Sequence, residues 1–107
     1  MLYRKQFLTA FIDVRRMLFA DARKEADAAE ILPTGRYHKE GGVIIHELLK
    51  HGSISRRTFY DLVGTDIGDK LLEKYVFSLK FISQEVTFRS TLMKRFCEEN
   101  PALWEGK

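Results

Sequence analysis

Residues 51–68 read HGSISRRTFYDLVGTDIG, and how this stretch folds decides the architecture of the chain. It follows VIIHELLKHG, where Val43, Ile44, Ile45, Leu48 and Leu49 recur at helical spacing. Gly52 then falls where a helix ends in a left-handed residue, a conformation that glycine adopts without steric cost. Ser53 or Ser55 is placed to cap a second helix by accepting a hydrogen bond from an otherwise unpaired backbone N–H. In that helix Phe59, Leu62 and Val63 are expected to face inward, and Gly64 to end it. A third helix is expected from Thr65 or Asp66 as cap, with Ile67, Leu71, Leu72 and Tyr75 inside. Asp66 and Asp69 sit where the positive end of the helix dipole favours carboxylates.

The following stretch, YVFSLKFISQEVTFRS (residues 75–90), can be scanned at two periods. At period two, Phe77, Leu79 and Phe81 share one face and Ser78 and Lys80 the other, and Val86 and Phe88 alternate with Thr87 and Arg89. Its aromatic and β-branched content favours a hairpin over residues 76–89. A helical scan of the same residues would instead make the chain an all-α bundle. Beyond it, STLMKRFCEEN predicts a last helix capped by Ser90 or Thr91, burying Leu92, Met93, Phe96 and Cys97 and stopped by Pro101. Leu103 and Trp104 are expected to fold back as an apolar latch.

Working toward the start, Phe7, Phe11, Val14 and Leu18 recur at spacings of 4, 3 and 4, predicting an amphipathic helix within residues 1–30. Ala22, Ala26 and Ala29 continue its stripe with small residues. ILPTGRYHKEGG, residues 31–42, carries Pro33, Gly35 and the Gly41–Gly42 pair and reads as a loop. Residues 43–100 then form the core. A chain of 107 residues supports one hydrophobic core, so residues 1–107 are expected to be a single domain.

Net charge is +3, made up of +1 over residues 1–30, +2 over 31–64 and 0 over 65–107. No segment is a basic arm or an acidic tail, which argues against a strongly polarised nucleic-acid surface. No apolar run approaches the roughly 20 residues that span a bilayer, so a soluble chain without membrane association is expected. Cys97 is the single cysteine and reads as a small packing residue. Its isolation suits an intracellular, reducing compartment, cytoplasm or nucleus ahead of the mitochondrion; Asp13 and the acids from Asp21 to Glu30 count against a transit peptide.

Chemical motifs are missing. His38, His46 and His51 lack zinc-ligand spacing, and GTDIG lacks the Gly-Lys-Ser/Thr ending of a phosphate loop. No nucleophile stands beside a base with an orienting third group. The expectation is a chain that is not an enzyme, with no cofactor, no metal and no small-molecule substrate.

Helix, SIS connector, helix, tight turn, helix and hairpin is an element order that resembles the winged-helix superfamily over residues 43–90. The resemblance implies a winged-helix-like core with a helix-turn-helix and a small β-hairpin; with the long amphipathic N-terminal helix read from its own periodicity, the expected fold is mainly α (α+β). In DNA-binding members the resemblance also implies a third helix in the major groove. Here that helix carries Asp66, Asp69 and Glu73 against Lys70 and Lys74, a poor match to phosphate. The leading expectation is therefore a protein–protein interaction, adaptor or assembly module, with Phe7, Phe11, Val14 and Leu18 binding a protein partner or forming a homodimer seam. The alternative is a DNA-binding transcriptional regulator whose basic patch of Lys50, Arg56, Arg57, Lys80 and Arg89 lies outside the third helix.

Overall fold

The computed structural model describes residues 19–105. Residues 19–28 form helix α1, which turns Ala22 and Ala26 to the core, and Ala29, just past its end, continues the buried stripe. It ends in a Schellman motif. Glu30 takes a left-handed φ of 60°, its N–H reaches Asp27 O at 2.9 Å, and Ile31 N–H reaches Ala26 O at 3.2 Å.

Helix α2 spans His38–His51 and begins five residues earlier than the expected Val43, so the loop read over residues 31–42 is shorter. The Gly41–Gly42 pair lies inside the helix, where neighbours crowd it. A Cβ on Gly41 would stand 2.6 Å from Cγ2 of Ile31, and one on Gly42 would stand 3.2 Å from Cδ1 of Trp104. Glycine at these positions lets the α1–α2 connector and the C-terminal turn approach the helix backbone. Gly52, at φ 82°, stops α2 as expected, its N–H bonded to Leu48 O at 2.7 Å.

Strand β1 (Ile54–Ser55) lies within the SIS connector, where the sequence predicts no strand. Ser55 then caps helix α3 (Arg56–Val63), its Oγ accepting from Thr58 N–H at 3.1 Å. Gly64 (φ 85°, ψ 160°) ends α3 and also caps α4 (Thr65–Glu73), so neither Thr65 nor Asp66 is the cap. The Gly64 carbonyl accepts the Gly68 N–H at 2.9 Å. One residue thus serves both helix ends.

Lys74 turns to extended backbone and stops α4. The chain then forms β2 (Phe77–Lys80) and β3 (Glu85–Phe88), which rules out a helix through residues 70–89 and with it the all-α alternative. The sheet is antiparallel, in the order β1-β3-β2, with Ile54 and Leu79 both opposite Val86 and Phe77 opposite Phe88. Phe81 does not share the strand face of Phe77 and Leu79, because it falls in the turn, 82% exposed. Tyr75 is also outside, 62% exposed beneath the Arg89 guanidinium at 4.7 Å, and Leu62 is exposed.

Helix α5 (Thr91–Glu99) is capped by Ser90, whose Oγ accepts from Met93 N–H at 3.1 Å, and it buries Met93, Phe96 and Cys97. A 3₁₀ turn, Pro101–Leu103, carries Trp104 back onto the fold. Its indole stands edge-on to Phe96 at 6.0 Å, as the latch reading expected. Ile31, Ile44, Leu48, Phe59, Leu71, Phe77 and Val86 fill the centre, so helices and sheet share one core. The fold is mainly helical, α+β, with a small three-stranded sheet. No described helix is long and apolar enough to cross a membrane.

Candidate functional site

The partner-binding candidates Phe7, Phe11, Val14 and Leu18 lie outside the described residues. The five basic candidates are exposed but fall in different places. Arg56 and Arg57 open α3 and, with Ser55, Tyr60 and Gln84, line a shallow hollow of about 350 Å³. The Arg56 N–H donates to Gln84 O at 2.9 Å, which ties α3 to the hairpin turn. Lys80 ends β2 opposite Glu85, itself opposite Ser55, so Lys80 belongs to the same end of the sheet. Arg89 lies four residues beyond Glu85, about 13 Å away at the rise of a strand. There it stacks on Tyr75. Lys50 occupies the last turn of α2. The patch is therefore three residues at the hairpin turn plus two outliers.

On α4, Asp66, Asp69, Lys70 and Glu73 are exposed. Tyr60 of α3 donates its hydroxyl proton to Asp69 Oδ1 at 2.6 Å. This bond, with some burial and the carboxylate's charge, raises the Tyr60 pKa above its ordinary value, and Arg56 partly opposes the shift. The contact clamps α3 to α4 and keeps a carboxylate on the α4 surface.

Two further features lie outside the candidate residues that the sequence singles out. The first is the hairpin turn itself, which carries Phe81 and Ile82 at 82% and 102% exposure. Adjacent apolar residues cannot both face inward on a strand of period two, and that signal was present in KFIS. The second is an open groove of about 710 Å³ along residues 38–47 of α2, with Pro33, Val43, Leu103 and Trp104 as its apolar wall. Its residues come from three separated parts of the chain, so no local pattern marks it.

His38 turns its Nδ1 to the Ile31 carbonyl at 2.8 Å, His46 lines the groove, and His51 lies 3.4 Å from Glu47. Among the described residues no group of three or more His, Cys, Asp or Glu side chains is arranged to hold a metal ion. Burial pushes the Cys97 thiol up to about 12, which leaves it protonated and unreactive inside the fold. Searches of protein-family models, of curated proteins and of solved structures found no match to this chain.

Proposed function

We propose that the chain is a non-enzymatic protein–protein interaction or assembly module built on a winged-helix-like domain. Its element order from α2 to β3, with a sheet ordered β1-β3-β2, supports the winged-helix-like reading. The exposed face of α4 carries the functional argument. Three carboxylates, Asp66, Asp69 and Glu73, stand there against Lys70, with the half-buried Lys74 capping the end, on the helix that would otherwise lie among phosphates. A protein partner imposes no such charge conflict. Phe7, Phe11, Val14 and Leu18 belong to this reading as a partner-binding stripe.

Light scattering coupled to size exclusion, together with affinity capture from the native cell, tests the proposal. The expected result is self-association or a stoichiometric protein partner. A chain that stays monomeric at high concentration and captures no protein would sink it.

A second reading, a DNA-binding regulator, draws on the gathering of Arg56, Arg57 and Lys80 at the hairpin turn, since Arg pairs well with phosphate oxygens. It requires duplex binding that weakens steeply with salt and that Arg56→Ala with Arg57→Ala reduces. The absence of a mobility shift at low salt would eliminate it.

A further inference from the structure

We propose that the hairpin turn of one copy seats in the α2–Trp104 groove of a second copy, so that the chain assembles head to tail. This rests on the assembly reading above and names its surfaces. The turn is held in shape by its own bonds: Gln84 N–H donates to Lys80 O at 2.8 Å, and Gln84 Nε2 donates to Phe81 O at 2.6 Å. Gln84 accepts a left-handed φ of 55° to make them. Phe81 and Ile82 are thus presented to solvent by an ordered backbone, and a preorganised apolar pair loses little entropy on docking. At 82% and 102% exposure, Phe81 and Ile82 form a contiguous apolar tip of the kind that contact surfaces use.

The groove is the complementary shape. It is concave, about 710 Å³, and sets an apolar wall of Pro33, Val43, Leu103 and Trp104 within a polar rim that includes His38 and His46. The charges match as well. Arg56, Arg57 and Lys80 surround the turn against one carboxylate, Glu85, whereas Glu47 and Glu105 line the groove against one ammonium, Lys39. Glu47 also reaches His51 at 3.4 Å. Opposite charges around an apolar contact steer and register the pair.

Within one chain the two surfaces lie apart. The turn is tied to Ser55 and Arg56, beyond the C-terminal end of α2, whereas the groove lies along residues 38–47 of that helix and against the C-terminal turn. They share no residue, so a contact between copies is heterologous. Each added copy leaves one turn and one groove open, and growth continues unless a ring closes.

Sedimentation velocity on the full chain, over a range of concentration and salt, tests this. The wild type is expected to grow past a dimer with concentration and to shrink with salt. A turn variant, Phe81→Ser with Ile82→Ser, alters only exposed side chains. A groove variant, Val43→Glu, places a carboxylate in the apolar wall, and Glu47→Lys with Glu105→Lys is a second groove variant should the first fail to fold. Each is expected to weaken assembly at least tenfold on its own. Mixed in equal amounts, a turn variant and a groove variant retain one intact pairing, and the mixture is expected to form a dimer that stops at two.

Failure of the mixture to pair would overturn the inference. So would a dimer that both variants retain, which would mean assembly through another surface such as the Phe7, Phe11, Val14 and Leu18 stripe and would leave the assembly reading standing. A wild type that stays monomeric yet captures another protein also overturns it, with the interaction reading intact. Monomer without any captured protein overturns both.

Discussion

The indole N–H of Trp104 donates to the carbonyl oxygen of Ile31 at 3.0 Å, and His38 Nδ1 lies 2.8 Å from the same oxygen. A single carbonyl in the α1–α2 connector thus receives one group from the start of α2 and another from 73 residues along the chain. Trp104→Phe keeps an aromatic ring near Phe96 but removes one donor, and should cost about 1 kcal/mol. Trp104→Ala also opens the wall of the groove and should cost roughly 2–4 kcal/mol. Urea denaturation followed by circular dichroism checks the order of the two, and equal losses would remove the ring from the account.

Gly41 should reverse an ordinary rule. Replacing a glycine inside a helix by alanine usually stabilises by about 0.5–1 kcal/mol. At Gly41 the new methyl would stand 2.6 Å from Ile31 Cγ2 in a buried contact, so Gly41→Ala is expected to destabilise by roughly 1–3 kcal/mol. Gly42→Ala, 3.2 Å from the half-buried Trp104 ring, should lose less. The urea midpoints of the two variants decide this.

At Gly64 the cause is the backbone. No atom lies within 4 Å of a Cβ built there, yet φ 85° with ψ 160° is a region that only glycine occupies comfortably. Gly64→Ala and Gly64→Ser are therefore expected to lose similar amounts, roughly 1–3 kcal/mol, because the side chain is not at fault. A wide difference between them in thermal unfolding would contradict this.

Alkaline pH should weaken the fold in two stages. The Cys97 thiol is held up to about 12 in the folded chain, whereas an unfolded thiol ionises near ~8.5. Its contribution is complete below the unfolded value and is lost as pH rises toward the folded one. Tyr60 is shifted in the same direction by Asp69, so its contribution is lost as pH climbs above ~10. Cys97→Ala should flatten the first part of the decline in urea midpoint and Tyr60→Phe the second.

Local chemistry made much of the fold legible. The Ser90 cap, the Gly52 and Gly64 stops, the alternation of Phe77 and Leu79 and the return of Trp104 follow from the nearest few residues and stand in the structure. Errors arose where a distant partner decided the outcome. Gly41 and Gly42 read as a loop because the need for their small size comes from Ile31 and Trp104. Strand β1 went unseen because two residues have no period, and only the pairing of Ile54 with Val86 makes them a strand. Likewise, Arg56, Arg57 and Lys80 are brought together by the sheet, whereas Arg89 is carried away along β3.

The bond from Arg56 N–H to Gln84 O has a consequence for isotope exchange. First-turn amides of a helix lack partners within the helix and ordinarily trade their protons with water freely. This amide is instead paired with a carbonyl in the hairpin turn, so its protection in deuterated water reports whether the turn is docked on α3. It should exchange more slowly than the neighbouring Arg57 amide, and it becomes a single-site probe of any ligand or copy that settles on that turn.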